Sequence, residues 1–145
     1  KIARHTAALY LFGRIMPLGA GCDDWVAVAE SLIGSPYRWG GRASTGLDCS
    51  ALVQLALAVA GKPVPRDSGP QHDIGTALQR IDDLQRGDLV FWAGHIGIMQ
   101  DPRQLLHANA HHRCVATEPV QEARRRIKEH GGGDITGWSR PLPSA

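Results

Sequence analysis

The sequence predicts an α+β domain whose helices pack on one side of an antiparallel β-sheet. Two apolar stretches with helical character come first, at 24–34 and 49–60, and short strand-like segments follow from residue 88 onward. Strands and helices do not alternate along the chain, which disfavours a doubly wound nucleotide-binding fold. With 145 residues the chain can bury most of its apolar surface in a single core, so we expect one compact domain.

The first helix is predicted from a capping residue and an apolar face. Asp23 or Asp24 can cap it, and Gly34 with the proline that follows ends it. Helical spacing puts several apolar residues on one face: Trp25, Val26, Ala29, Leu32 and Ile33. We expect this face to point into the core.

The second helix is predicted to be the central helix of the core. Asp48 is a good N-cap for it, and Gly61 is its stop. Beyond the first turn only Gln54 is polar, so the helix must be buried on most sides. This prediction places Cys49 in the first helical turn.

Strand signals fill most of the second half of the chain. We predict strands at 88–94, 95–100 and 104–110, with further extended segments at 112–119 and 134–142. Residues 120–130 have the pattern of an amphipathic surface helix that ends at consecutive glycines. A shorter piece at 72–81 is predicted to be helical or irregular.

Composition and charge name no binding partner. The 16 basic and 14 acidic residues are scattered, the net charge is +2, and no basic stripe indicates nucleic-acid binding. No stretch approaches the roughly 20 apolar residues of a membrane span, and the first residues lack the features of a secretory signal. We therefore expect no nucleic-acid partner and no membrane span, whereas the compartment, cell envelope or cytoplasm, stays open.

Cys49 is the strongest candidate for a chemical role. The three cysteines cannot all pair within the chain and none has C-x-x-C spacing, so at least one thiol is free. At the start of a helix, unsatisfied N–H groups and the helix dipole favour a thiolate and could also bind an oxyanion. The alternative is that Cys49 is a small buried apolar residue. We expect Cys22 and Cys114 to be structural.

Two histidines are predicted to lie close together on neighbouring strands. A three-residue hairpin loop centred on Pro102 would pair His107 with Gly97 and His95 with Asn109. The two imidazoles are then diagonal neighbours on one face, whereas a two-residue loop would put them on opposite faces. On the first geometry, His95 would be the base beside the thiol, and His107 would hold its tautomer and orientation.

A zinc site is the competing interpretation of the same region. His107, His111, His112 and Cys114 offer nitrogen and sulfur ligands of the kind that zinc prefers. In a continuous strand, however, His107 and His111 share a face while His112 turns away. The four side chains would not converge without a bulge, so we expect no metal site.

The chain also resembles a known family in five short blocks that occur in the family's order. These are SPYRWGG (35–41), GLDCSALV (46–53), RGDLVFW (86–92), HIGIM (95–99) and LLHA (105–108). They resemble the NlpC-type family of bacterial cell-wall cysteine peptidases, which have a papain-like fold. The resemblance implies that Cys49 is the nucleophile, His95 the general base and His107 the third polar residue. It also implies that Tyr37 lies near the oxyanion hole with the Cys49 amide.

Residues around the nucleophile match the substrate-binding positions of one subgroup of this family. The resemblance implies that Asp48 and Ser50 bind the amino terminus of the substrate and line the cleft. Arg66, Asp67 and Ser68 resemble a block that lies beside them. Members of the subgroup cleave the γ-D-glutamyl bond to diaminopimelate or lysine in peptidoglycan stem peptides, and they prefer a free N-terminal L-alanine.

The resemblance divides the chain into a lead-in segment, 1–22, and a peptidase domain, 23–145. The lead-in resembles the end of the upstream Src-homology-like domain that helps to close the substrate site in the subgroup. Ala51 departs from the glycine that many members have there, a modest change. The implied partner is a peptidoglycan stem peptide or muropeptide, bound by a monomer without metal or organic cofactor.

Two alternatives remain open from the sequence. A cell-wall amidase of the related CHAP family shares the order of cysteine and histidine, although the 36–41 block and the position of His107 favour the endopeptidase. A cell-wall binding module could keep the fold without turnover. The complete set of Cys49, His95 and His107 argues against that module.

Overall fold

The computed structural model describes residues 8–11, 14–17 and 23–141. The helices are α1 (Trp25–Glu30), α2 (Cys49–Val59), α3 (Ser68–Gln71) and α4 (Val120–Glu129), with a 3-10 turn at Ile81–Asp83. The strands are β1 (Ala8–Leu11), β2 (Arg14–Pro17), β3 (Arg42–Ala43), β4 (Gly46–Leu47), β5 (Thr76–Ala77), β6 (Leu89–Trp92), β7 (His95–Met99), β8 (Gln104–Asn109), β9 (Cys114–Pro119) and β10 (Gly137–Arg140).

A six-stranded antiparallel sheet forms the centre of the domain, with strand order β5-β10-β6-β7-β8-β9. Two further pairs, β1-β2 and β3-β4, form small sheets of their own. The helices are few and do not alternate with parallel strands, so the predicted α+β class is confirmed. Within the described part of the chain, every helix falls short of the length and apolar character that a membrane span requires.

The helices lie on both sides of the sheet, so the prediction that they pack on one side is wrong. Apolar residues of α1 and α2 form one core with one face of the sheet. On the other face, Val120 and Ala123 of α4 pack against Val90, Trp92 and Leu105. The reason is that β6 is buried at all four of its positions, so both faces of the sheet need an apolar cover.

Helix α1 begins where the sequence predicts, because the Asp24 carboxylate accepts a hydrogen bond from the Ala27 N–H at 3.2 Å. It is shorter than predicted, since it ends at Glu30 and the chain turns through Gly34 with φ of +87°. Ile33 therefore leaves the helical face and is 48% exposed, contrary to the prediction. The other four predicted residues are buried.

Helix α2 is the central core helix, as predicted. Leu52, Val53, Ala56 and Leu57 are fully buried. Gly61 has φ of +77°, a left-handed conformation that glycine adopts without strain at the end of a helix. The helix packs against α1 and across β7 and β8, which brings its first residue to the histidine strands.

The loop between β7 and β8 has the predicted three residues. Gln100 donates its N–H to the Gln104 carbonyl at 2.8 Å, and Asp101 accepts the N–H groups of Arg103 and Gln104 at 2.7 and 2.9 Å. The observed register pairs are Ile98 with Leu106 and Met99 with Leu105. The local turn chemistry of Asp101 thus sets the register that puts both histidines on one face.

Part of the lead-in segment can be described. Strands β1 and β2 pair antiparallel, from Ala8 with Pro17 to Leu11 with Arg14. The remainder of the lead-in, including Cys22, lies outside the described residues. The assignment of 1–22 to an upstream domain stays a prediction.

Candidate active site

Cys49 is the first residue of α2 and is 9% exposed. Asp48 caps the helix through a hydrogen bond from the Ala51 N–H at 2.9 Å. Burial raises the pKa of the Cys49 thiol, and hydrogen bonds from backbone N–H groups, chiefly that of Ile96, offset this only in part. The expected preference for thiolate at the helix start is therefore outweighed by desolvation, so this thiol needs a base.

The two predicted histidines form a hydrogen-bonded pair. Nε2 of His95 lies 2.7 Å from Nδ1 of His107, and the ring planes are inclined by 61°. His107 is fully buried. Burial, reinforced by His107 and by Arg126, lowers the pKa of His95 to about 3. Burial also lowers the pKa of His107. Both rings are therefore neutral near pH 7, each with one N–H and one bare nitrogen.

The thiol lies against the main chain at the start of β7, next to the residue His95. Ile96, whose N–H points to the Cys49 sulfur, directly follows His95 in the chain. Since His107 occupies Nε2 of His95, the nitrogen that remains is Nδ1, which is nearer to the main chain. The residue that carries the candidate base is thus next in the chain to the main chain that contacts the sulfur, and His107 holds the far nitrogen of that base.

Tyr37 lies beside Cys49. Its N–H donates to the Arg113 carbonyl at 2.9 Å, and its ring packs against the α2 side of the core. Burial raises the pKa of the Tyr37 phenol, and negative charge on Cys49 or Asp48 raises it further. The phenol is therefore a hydroxyl that can donate a hydrogen bond near the sulfur, in keeping with the predicted oxyanion role.

A cleft of about 520 Å³ opens in front of Cys49. Its walls include all the residues predicted to bind substrate: Asp48, Ser50, Arg66, Asp67 and Ser68. Trp39 stands at the rim of the cleft and is 84% exposed. The sequence analysis includes Trp39 only as a member of the block 35–41. The sequence does not show whether a single aromatic residue in a loop is exposed.

Asp48 organises this cleft as well as capping α2. Arg66 donates to both of its oxygens, at 2.6 and 2.9 Å, and Ser50 and the Gly40 N–H donate at 3.2 and 3.0 Å. Burial alone would raise the pKa of Asp48, but Arg66 and Ala51 outweigh it and lower the pKa. The ionised carboxylate holds the loop at Gly40, the helix start and Arg66 in one arrangement.

Comparison with known protein families shows which family this chain belongs to. The sequence profile of the NlpC/P60 family matches residues 34–128, a span that contains Tyr37, Cys49, His95 and His107. The chain belongs to the NlpC/P60 family. The fold is also similar to that of an NlpC/P60 relative, the peptidoglycan hydrolase RipB from Mycobacterium tuberculosis. The two structures match with a TM-score of 0.71 at 28% sequence identity, and the match covers 84% of this chain and 65% of RipB.

Curated relatives of this NlpC/P60 domain are longer proteins. Dipeptidyl-peptidase 6 of Lysinibacillus sphaericus is 33% identical over 109 residues, which are 75% of this chain and 37% of that protein. The γ-D-glutamyl-L-lysine dipeptidyl-peptidase of Bacillus cereus is 31% identical over 118 residues, which cover 76% of this chain and 35% of that protein. The chain thus spans a little over a third of the length of these relatives.

The four residues of the competing zinc interpretation do not form one cluster in this NlpC/P60 domain. Strand β8 ends at Asn109, whose Oδ1 accepts the His112 N–H at 2.8 Å, so the chain reverses and brings His112 towards His107. His111 is exposed instead, contrary to the prediction for a continuous strand. Among the described residues, the group with metal-ligand spacing is His107, His112 and Glu118, within 4.8 Å of one another. Arg126 already pairs with Glu118 and places a positive charge where a cation would bind.

Sequence reasoning missed Glu118 and Arg126. The sequence predicts an amphipathic surface helix at 120–130, and this description suits Arg124 and Arg125, which pair with acidic residues at the surface. Arg126, in contrast, is only 17% exposed at its side chain and bonds to Glu118, which lies beside His107. The alternation of side chains along β9 was the one sequence pattern that could have pointed to Glu118. It does not show which residue of β9 lies next to His107.

The substitution Gly41→Ala is expected to damage the site through the backbone. A Cβ at Gly41 would overlap the Gly46 carbonyl and lie 2.9 Å from the Arg38 carbonyl, and backbone atoms cannot move aside cheaply. The Asp48 N–H bonds to the Gly41 carbonyl, so the strain reaches the nucleophile helix. We expect a loss of about 1–3 kcal/mol in the free energy of unfolding, measured by urea denaturation, together with reduced turnover. Gly69→Ala, whose Cβ meets nothing within 4 Å, is the matched control; equal effects in both variants would contradict the prediction.

The stability of this domain is expected to fall in mild acid. His95 and His107 have lowered pKa values in the folded protein, whereas unfolded histidine titrates near 6.5. Below about pH 6.5 the unfolded chain therefore binds more protons, and the stability present above that pH is lost as the pH falls towards about 3. Asp48 and Glu118, whose pKa values are also lowered, add a further loss below about pH 4.5.

The urea midpoint at about pH 7.5, 6 and 5 measures this effect. The midpoint should decrease at each step, and His107→Gln should reduce the decrease between the first two. The control His130→Gln alters an exposed ring and should leave the decrease unchanged. A midpoint that is constant over this range would show that the histidines carry no such linkage.

Proposed function

We propose that this domain is a cysteine peptidase that hydrolyses the bond between γ-D-glutamate and a diamino acid in peptidoglycan stem peptides. The observation that carries the proposal is the hydrogen-bonded pair of His95 and His107 beside Cys49 at the start of a buried helix. Family membership supports the reaction class. We take the scissile bond from the name of the relative from Bacillus cereus, a γ-D-glutamyl-L-lysine dipeptidyl-peptidase.

The reaction begins with proton transfer and attack. His95 takes the thiol proton of Cys49 on its bare nitrogen, and the sulfur forms a bond to the carbonyl carbon of the scissile amide. Burial disfavours both the separate thiolate and the separate imidazolium, so the resting pair is neutral and the proton moves as the sulfur attacks. The Cys49 N–H and the Tyr37 hydroxyl stabilise the oxyanion that forms.

Collapse of this intermediate breaks the carbon–nitrogen bond. The leaving amine of the diamino acid takes the proton from His95, and the γ-glutamyl group remains on Cys49 as a thioester. Water then gives a proton to His95 and attacks the thioester carbonyl. The sulfur leaves with that proton, which restores the thiol and the neutral imidazole.

The cleft in front of Cys49 would hold the amino-terminal part of the stem peptide. Asp48 is engaged by Arg66, Ser50 and Gly40, so it serves mainly to order the wall of the cleft. Asp67 begins α3 without a capping hydrogen bond from its side chain, and it faces the same cleft. A carboxylate in that position suits the free amine of an N-terminal L-alanine.

The segment 1–22 would be the end of an upstream Src-homology-like domain that borders the cleft, and 23–145 the peptidase. The pairing of β1 with β2 in a sheet of their own is consistent with this division. Every group named in the reaction comes from one chain, so a monomer is sufficient.

Hydrolysis of two synthetic tripeptides tests the proposal. L-Ala-γ-D-Glu-diaminopimelate and L-Ala-γ-D-Glu-L-Lys are incubated with the domain, and the products are identified by mass spectrometry. Release of the free diamino acid from either substrate is the expected result, and the ratio of rates gives the preference at the third position. If the tripeptides stayed intact while the alanine-linked stem was released from a muramyl peptide, the domain would be an amidase and not an endopeptidase.

A further inference from the structure

A line of polar contacts continues beyond the three residues used in the reaction. Nε2 of His107 lies 2.7 Å from Oε1 of Glu118, and Arg126 from α4 bonds to the same oxygen. Glu118 belongs to β9, where it pairs with Leu105, two residues before His107 on the same face of β8. The contacts therefore run from His95 through His107 to Glu118 and end at Arg126.

We propose that Glu118, held by Arg126, is a positioning residue that sets the tautomers of both histidines so that His95 presents a bare nitrogen to the thiol. The inference deepens the proposed function and rests on Cys49 and His95 being its nucleophile and base. Glu118 does not touch the reacting atoms.

The direction of each hydrogen bond follows from the charge of Glu118. Burial alone would raise its pKa, but the hydrogen bond from His107 and the charge of Arg126 outweigh burial and lower the pKa. An ionised carboxylate only accepts hydrogen bonds, so the proton of His107 must be on Nε2. In a neutral imidazole the other nitrogen, Nδ1, is then bare.

The tautomer of His107 in turn fixes the tautomer of His95. Since Nδ1 of His107 is bare, the contact of 2.7 Å requires His95 to donate from Nε2. The neutral ring of His95 then has its bare nitrogen at Nδ1, next to the main chain that meets the Cys49 sulfur. With the opposite tautomers, an N–H would face the thiol and His95 could not take its proton.

Neighbouring polar groups do not offer a competing acceptor at His107. His112 lies 3.8 Å from Glu118, and its Nδ1 is directed to Asn109 at 3.0 Å. The Asn109 amide nitrogen lies 3.3 Å from the main-chain carbonyl of His107 and not from its ring. The side chain of Glu118 is only 11% exposed, so water has little access to replace it.

The first test measures the tautomers directly. Nitrogen-15 NMR of the imidazoles of the wild-type domain at about pH 7 should show both His95 and His107 protonated at Nε2. This measurement needs no substrate, so it holds even if neither tripeptide is cleaved and the proposed function fails. Protonation of either ring at Nδ1 would overturn the inference.

The variant Glu118→Gln tests the consequence for reactivity. An amide can donate as well as accept, so we expect a mixture of tautomers, a 10- to 100-fold slower alkylation of Cys49 by iodoacetamide, and a similar loss in kcat with little change in KM. The matched control Glu122→Gln makes the same change on the surface of α4, where Glu122 pairs with Arg125, and should leave all of these unchanged.

A second variant separates positioning from stability. Glu118→Leu combined with Arg126→Met removes both members of the ion pair, a change that leaves no unpaired charge and preserves the fold better than removal of one. We expect this variant to unfold cooperatively near the wild-type temperature and yet to lose alkylation rate and kcat as Glu118→Gln does. Wild-type tautomers and rates in a folded variant of either kind would reduce Glu118 to a structural role and refute the proposal.

Discussion

Cys49→Ala is expected to abolish hydrolysis of the γ-D-glutamyl tripeptides, with a loss of about 10,000-fold or more in kcat. The sulfur is the nucleophile of the proposed reaction, and the neighbouring Ser50 hydroxyl is held by Asp48 and Arg66. The fold should persist, because alanine suits a helix and the thiol is a small buried group whose removal costs about 1 kcal/mol. Turnover is measured by release of the diamino acid, and stability by thermal unfolding.

Cys114→Ala provides the matched control for this variant. Cys114 is a free, half-buried thiol in β9, and we place it outside the reaction. Its removal should leave turnover unchanged, and iodoacetamide should still label Cys49. If Cys49→Ala kept substantial turnover, or if Cys114→Ala lost it equally, Cys49 would not be the nucleophile. If the folded wild-type domain cleaved neither tripeptide and released no stem from a muramyl peptide, the inactive binding module would be the better interpretation.

Asp48→Ala is expected to have the largest effect on stability. The substitution removes the cap of the central helix and leaves the guanidinium of Arg66, 25% exposed, without its carboxylate. Loss of a cap costs about 1 kcal/mol, and leaving a partly exposed partner unsatisfied costs about 1–3 kcal/mol. We therefore expect a loss of about 2–4 kcal/mol in the free energy of unfolding. Turnover should also fall, since Asp48 fixes the start of α2 at Cys49.

Asp67→Ala is the control for this second prediction. Asp67 is also an N-cap, but its side chain makes no capping hydrogen bond to α3. Its removal should therefore leave the urea midpoint nearly unchanged, while KM for substrates with a free N-terminal amine should rise. Equal destabilisation by the two substitutions would mean that the bonds of Asp48 contribute nothing beyond the removal of a carboxylate.

Much of the site could be predicted because its geometry is local. Asp48 caps the residues that directly follow it, and Asp101 sets the hairpin loop within three residues. That loop sets the strand register, and the register alone brings His95 and His107 together. The roles expected for these residues come from the order of the sequence blocks, because spacing alone does not assign a role.

Other features could not be predicted because they depend on how distant elements pack. Ile33 is exposed because α1 ends a turn earlier than its apolar pattern indicates. The side of the sheet that α4 covers follows from the burial of both faces of β6. The position of His112 depends on a turn after Asn109, where strand alternation no longer applies.

Residues that are neighbours along the chain were enough to predict the position of Cys49 at the start of its capped helix and the register of the histidine hairpin. Tertiary packing sets the direction of the pKa shifts, because burial raises the pKa of Cys49 and lowers that of His95 against the local tendency of the helix start. It also decided that Glu118 and Arg126 stand behind His107. Desolvation and charge act through space, and they become defined only when α2, β9 and α4 have closed around the sheet.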